Sequence, residues 1–310
     1  MDVVYTPHQQ ELLDKLDELQ KSMGLSQAKL SELVGISSST ISQLRNKKYT
    51  ADPQQLFSIL DNYFGVKEIA KHTYTEIEYA DTSISSEVYD IIRICQVKGG
   101  LAVACGDAGI GKTKAARKFI KDHATNSALI TVNPCITAIK PLLEVVVDRI
   151  GATVEKSRDK LWQSIAGKLS DGMVLIFDEA QHLSYKTIEV LRSFSDYFND
   201  KGQTLGICFI GNTDTVSRLG SRRAEFAQIS NRTKQRKIYT KEEIKREDII
   251  KLFPILQEEH KEMEIDLLWN VAKTPQALRG AINLFSNAYD NENYSYEGLI
   301  AMMNFMDMQI

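Results

Sequence analysis

The sequence predicts an α/β fold: a phosphate-loop core with a parallel sheet flanked by helices, an all-helical domain in front of it and a small all-helical lid behind it. Three observations carry this. Four short apolar runs, LAVAC at 101–105, ALITV at 128–132, MVLIF at 173–177 and LGICFI at 205–210, alternate with amphipathic stretches, as strands buried on both faces and joined by helices do. The first run leads directly into GDAGIGKT at 106–113 and then into the helix-like KAARKFI, which is the strand-to-helix setting of a phosphate-binding loop. Before and after this block the apolar residues recur at helical spacing.

The composition narrows the function classes. With 310 residues the chain has room for two or three domains with cores of their own. A net charge of -3 excludes a uniformly basic surface, so contacts to nucleic acid must come from local patches. No run is long and apolar enough to span a bilayer, and the N-terminus MDVVYTPHQQELLDKLDELQ turns polar at once. No membrane partner and a cytoplasmic location are therefore expected. Cys95, Cys105, Cys135 and Cys208 form no CxxC pair, which predicts reduced, mostly buried thiols rather than a disulfide frame or a zinc site.

In chain order, residues 1–65 place Leu12, Leu13, Leu16, Leu19, Leu30, Leu33, Ile41, Leu44, Leu56 and Leu60 at helical spacing. Ser26 is suited to cap one helix, Gly35 to make a turn and Ser37 to cap a second helix, so the centre of this domain reads as a helix-turn-helix. Residues 66–84 lose the period and read as a linker. A helix resumes near Ser85, with Val88, Ile91, Ile92 and Ile94 inward, and stops at Gly99-Gly100. Within the core, 85–240, helices are expected at 114–123, 139–150, 159–169 and 184–199. Arg218, Arg222, Arg223, Arg232, Lys234, Arg236 and Lys237 read as a basic run, either a solvated face or a neutraliser of phosphates, and no strand is assigned to it. Residues 241–310 read as helical, with Pro254 breaking the first helix and Pro275 starting the one that carries Arg279.

Each residue type in the central motif has a physical task. Gly106, Gly109 and Gly111 free the backbone so that N–H groups along Gly106, Asp107, Ala108, Gly109, Ile110, Gly111, Lys112, Thr113 and Lys114 can converge on phosphate oxygens, helped by the N-terminus of the helix that follows. Lys112 would reach the β and γ phosphates of ATP, and the Thr113 hydroxyl would coordinate Mg2+. Asp178 and Glu179 follow the third apolar run directly. At the end of a buried strand, Asp178 is placed to hold the magnesium shell and Glu179 to orient the attacking water. Asn212 ends the fourth run and can hydrogen-bond the γ-phosphate or that water.

Two resemblances add to this reading. The spacing of Gln27, Leu30, Ser31, Gly35, Ile36, Ser37, Ile41 and Ser42 resembles that of phage-repressor-type domains. The resemblance implies that Ser38, Ser39, Thr40 and Gln43 face a major groove, with Arg45, Asn46, Lys47 and Lys48 near phosphates. The small hydroxyls on that helix argue for weak sequence discrimination. The same helices also serve elsewhere as plain packing units for protein contacts. The blocks GDAGIGKT, MVLIFDEA, CFIGN and TPQALRG together resemble AAA+ ATPases. With the front domain and the phrases VACGDAGIGKT and EFAQISNRT, the layout resembles the ATP-dependent, target-DNA-binding transposition proteins of Mu-type phages. What this implies is an Asn212 that senses nucleotide, an Arg279 that does so from the lid, an Arg232 finger reaching a neighbouring subunit, with Arg236 as its rival, and a DNA-tracking Lys168. Lys156, Arg158 and Lys160 join Lys168 as candidate phosphate contacts.

The expected function is an ATP-dependent, largely sequence-nonspecific DNA-binding ATPase. It would form a homo-oligomer, ring or filament, on double-stranded DNA, select transposition targets and deliver them to a transposase. A nucleotide-switched, sequence-specific transcriptional regulator and a helicase-loader or replication-initiation ATPase are the alternatives.

Overall fold

A computed structural model of the protein describes residues 5–72, 74, 77, 79–136, 138–215 and 233–309, with the backbone alone for 66–72. It divides into two compact units, residues 1–74 and 75–310.

The first unit contains four helices among the described residues: α1 (Pro7–Ser22), α2 (Gln27–Val34), α3 (Ser38–Arg45) and α4 (Gln54–His72). Polar caps start the first three. The Thr6, Ser26 and Ser37 hydroxyls accept from the N–H groups of Gln9, Lys29 and Thr40, each cap contributing about 1 kcal/mol. Gly35, at φ 72°, closes α2 in the left-handed conformation. Leu12, Leu13, Leu16, Leu30, Ile41, Leu44 and Leu60 form the core together with Val34, Ile36 and Phe57. Leu33 was expected inside but is 43% exposed, because Val34 takes the inward position of this short helix. Helix α4 also runs on to His72, through the stretch read as the start of a linker. Residues 66–72 contain neither Gly nor Pro to stop it.

The second unit opens with α5 (Ser83–Lys98), capped by Thr82 and ended at Gly99. Val88, Ile91, Ile92 and Cys95 are its buried side, whereas Ile94 is only half-buried. Then come β1 (Gly100–Gly106), α6 (Lys112–Asp122), β2 (Ser127–Thr131), α7 (Ile139–Ile150), α8 (Arg158–Lys168), β3 (Met173–Asp178), α9 (Tyr185–Asn199), β4 (Leu205–Gly211) and β5 (Thr233–Tyr239). The sheet is parallel, in the order β2-β3-β4-β1-β5. Its alternate residues face opposite layers, as strand geometry requires. Leu205, Ile207 and Phe209 join the core made with Leu191 and Phe194 of α9, while Gly206 lies against the Cys95 carbonyl of α5.

Four of these strands match the apolar runs; β5 is the fifth, in residues read as a basic run. The reason is its place at the sheet edge. Lys234, Arg236 and Ile238 are exposed, Thr233, Gln235 and Lys237 are half-buried, and Tyr239 alone is buried. An edge strand with polar residues on both faces lacks the apolar signature of its neighbours.

The lid contains α10 (Arg246–Leu252), α11 (Pro254–Glu258), α12 (Glu262–Ala272), α13 (Ala277–Asp290) and α14 (Tyr296–Phe305). Pro254 occupies the first position of α11. Pro275 lies in the turn ahead of α13 rather than at its first position. Three of the four cysteines are buried, and Cys135 is exposed. Burial pushes the Cys95 thiol up to about 12 and the Cys105 thiol up to about 11. Among the described residues no helix is long and apolar enough to cross a membrane.

One buried carboxylate joins the lid to α5. Asp248, 1% exposed, accepts from Ser83 N at 2.7 Å and Ser83 Oγ at 3.0 Å through one oxygen, and from Lys245 N at 2.9 Å through the other. Replacing it leaves three donors without their acceptor. Asp248→Ala should therefore lower the stability of the second unit by about 2–4 kcal/mol, read as a shifted midpoint in urea unfolding.

Candidate nucleotide site

The loop between β1 and α6 is fixed by its neighbours before any ligand is considered. Gly106 passes so close to the end of β5 that a Cβ on it would lie 1.9 Å from the Tyr239 carbonyl oxygen. The next residue donates its N–H to that same carbonyl at 3.1 Å. The Asp107 carboxylate in turn accepts from Lys241 N at 2.8 Å, and Arg279 N on α13 donates to the Gly109 carbonyl at 3.3 Å. Gly111, at φ 99°, leads into α6 with no side-chain cap, and an uncapped helix N-terminus suits an anion.

The polar groups expected from the motif converge here. Lys112 is buried, and its ammonium donates to the Gly106 carbonyl at 3.1 Å and the Asp107 carbonyl at 2.6 Å. Burial pushes its pKa down, opposed chiefly by the Asp178 carboxylate. Thr113 Oγ1 donates to Asp178 Oδ2 at 2.8 Å, and Glu179 N donates to Asp178 Oδ1 at 3.0 Å. Burial pushes the Asp178 carboxyl up, and the Thr113 hydrogen bond acts against that shift. A hydroxyl and a desolvated carboxylate held together are hard oxygen donors of the kind that magnesium takes. Glu179 is exposed beside them, its backbone at φ 56°.

These groups line a cavity of about 520 Å³, which Asn212 and Arg279 also line. Asn212 Oδ1 accepts from Asp214 N at 3.0 Å. The same cavity has apolar lining as well, from Ile77, Tyr79, Leu252, Leu278 and Ile282. Its polar groups suit a polyphosphate and its apolar side chains a flat base. The sequence reading missed these apolar lining residues. Their one local signal is the alternation of Ile77 and Tyr79 with acidic residues in TEIEYA.

Other predicted site residues lie elsewhere. Arg232 falls outside the described residues. Arg236 is exposed in the middle of β5, paired in register with Val103. Lys168 is exposed at the end of α8, where a turn with Met173 N on the Ser170 carbonyl carries the chain into β3. It therefore sits by the N-terminal end of β3, whereas the phosphate loop follows the C-terminal end of the parallel strand β1. In the first unit, Ser39, Gln43, Lys47 and Lys48 are exposed, and Ser38 and Thr40 are half-buried.

Arg45, expected near phosphates, has its guanidinium held within the first unit. Its Nη2 meets Asp17 Oδ1 at 2.6 Å and Gln20 Oε1 at 2.9 Å, and its Nη1 meets Gln27 Oε1 at 3.0 Å. The guanidinium therefore braces α1 and α2 against α3 instead of facing outward. Arg45→Ala should destabilise the first unit by about 1–3 kcal/mol, whereas Lys48→Ala should leave it within about 0.5 kcal/mol. Thermal unfolding followed by circular dichroism separates the two.

Residues 96–219 match the family model described as AAA domain, and residues 17–68 match that described as helix-turn-helix. The chain is 28% identical over 254 residues to the "ATP-dependent target DNA activator B" of Escherichia phage Mu, covering 79% of this chain and 77% of that protein. It is 27% identical over 212 residues to the "Mu-like prophage FluMu DNA transposition protein B" of Haemophilus influenzae, covering 67% and 71%. Among solved structures, the ADP form of the Aeropyrum pernix ORC2 protein shares the fold, with a TM-score of 0.54 at 14% identity over 71% of this chain and 67% of that one. Residues 96–219 thus carry an AAA domain and residues 17–68 a helix-turn-helix region, and over most of its length the chain resembles the transposition protein B of Mu-like phages.

Proposed function

We propose that this protein is an ATP-dependent, largely sequence-nonspecific DNA-binding ATPase that assembles on double-stranded DNA, selects it as a transposition target and delivers it to a transposase. The similarity to one protein named as an ATP-dependent target DNA activator and another named as a DNA transposition protein, spread over most of the chain, is the observation that carries this reading. In it, the first unit, residues 1–74, contacts DNA, the second unit, residues 75–310, holds nucleotide, and residues 241–310 of that unit close over it.

The chemistry assigned to each residue follows from its place. Lys112 exchanges its two loop carbonyls for β and γ phosphate oxygens, and the N–H groups from Gly106 to Lys114 surround them. Thr113 and Asp178 would hold the Mg2+ ion. When bound, that ion neutralises charge on the phosphate oxygens. Glu179 orients the attacking water, and Asn212 holds the water or the γ-phosphate from the end of β4. Arg279 contributes a positive charge from the lid. Arg232 of a neighbouring subunit is the candidate finger, which makes hydrolysis a property of the assembly. Ser39, Gln43, Lys47 and Lys48, exposed on or just after α3, are the front domain's contacts to DNA.

Lys112→Ala should abolish ATP binding, whereas Glu179→Gln should bind ATP and stall, since the water's activation alone is lost. Equilibrium nucleotide binding and phosphate release measure the two effects. Two variants that both hydrolyse at the parent rate would sink the site assignment.

The DNA reading has its own test. A protein that tracks the backbone through Lys and Arg releases counterions, so log affinity should fall linearly with log salt and differ little between sequences. A short fixed footprint on one sequence, at equal salt, would point instead to the transcriptional regulator.

A further inference from the structure

One polar side chain at the C-terminal end of the sheet joins Glu179 to Asn212. Gln181 lies in the short 3-10 turn Ala180–His182 that follows Glu179. Its Nε2 donates to Glu179 Oε2, and its Oε1 accepts from Asn212 N at 3.3 Å. These two partners fix the direction of the amide. Turned over, it would set its oxygen against a carboxylate and its NH2 against an N–H.

The space that the amide occupies exists because β4 ends in glycine. A Cβ on Gly211 would lie 2.5 Å from Gln181 Oε1 and 2.2 Å from Thr215 Oγ1. Glu179 itself needs an external hold. Its side chain is exposed and its backbone, at φ 56° and ψ 37°, is in the left-handed region that favours glycine. An exposed carboxylate on such a residue samples several rotamers unless a partner selects one, and a group that aligns a water must be held in place.

We propose that Gln181 is a positioning residue for ATP hydrolysis: it selects the Glu179 carboxylate orientation and ties it to the end of β4, so that Glu179 and Asn212 keep a fixed mutual geometry. The proposal rests on the reading of Glu179 as the residue that orients the attacking water. It adds that the carboxylate works only while the amide holds it.

The test uses the full chain with Mg2+, ATP and duplex DNA, and two substitutions of similar length. Gln181→Met keeps the stem and removes both hydrogen-bonding groups. Gln181→Glu keeps an acceptor for Asn212 N but places a second negative charge beside Glu179. Both should keep the parent KM for ATP and the parent thermal midpoint while kcat falls roughly 10- to 100-fold, and Gln181→Glu should be no better than Gln181→Met. In single-turnover hydrolysis, adding Gln181→Met to Glu179→Gln should cause no further loss, because no carboxylate remains to be held. A parent-like kcat in Gln181→Met beside a stalled Glu179→Gln would overturn the positioning role and leave the reading of Glu179 intact. A parent-like Glu179→Gln would overturn both. A raised KM, or losses that multiply in the double variant, would make Gln181 a merely structural residue and overturn the proposal.

Discussion

The contact on which the rest of the second unit depends is the approach of Gly106 to the backbone of Tyr239. No side chain fits there, since a Cβ would lie 1.9 Å from the Tyr239 carbonyl oxygen. That carbonyl accepts from Asp107 N, and the Asp107 carboxylate takes Lys241 N just beyond β5. The phosphate loop is thereby fastened to the edge strand on one side and to the first turn of the lid on the other. Arg279 N on the Gly109 carbonyl adds a second tie to the lid. A loop held by backbone contacts is pre-organised, so little of its binding free energy is spent on ordering it.

The same ties give the lid a physical connection to whatever fills the loop. Phosphate bound as proposed would draw Lys112 away from the Gly106 and Asp107 carbonyls, and these residues are the ones anchored to β5 and Lys241. Leu252, Leu278 and Ile282 of the lid line the same cavity as Ile77 and Tyr79. The buried Asp248 carboxylate bolts α10 to the start of α5 through Ser83 and Lys245. A nucleotide that spans the cavity therefore touches both the sheet edge and the lid, which is what a two-state nucleotide switch requires.

The legible parts of this chain were those with local signatures. Four apolar runs announced β1 to β4, and GDAGIGKT and Asp178-Glu179 were found because each follows such a run. The Ser26 and Ser37 caps were legible for the same reason, as a hydroxyl at a helix start has one dominant use. Strand β5 was not, because an edge strand reading TKQRKIY has only Tyr239 buried and looks like surface charge. Asp107, Gln181 and Asp248 were not, because their partners Lys241, Asn212 and Ser83 are far along the chain. Arg45 shows the converse: a basic residue ending a recognition-type helix has the same sequence signature whether it meets a phosphate or, as here, Asp17, Gln20 and Gln27.

The most direct measurement of the central claim is a structure of the full chain with Mg2+ and a non-hydrolysable ATP analogue. The account predicts the triphosphate in the loop 106–113, with Lys112 Nζ moved from the two carbonyls to phosphate oxygens. It also predicts a cation about 2.0–2.1 Å from Thr113 Oγ1, with Asp178 in its shell and the Gly106–Tyr239 contact unchanged. A nucleotide bound elsewhere, or one bound here with Lys112 still on the Gly106 and Asp107 carbonyls, would contradict it.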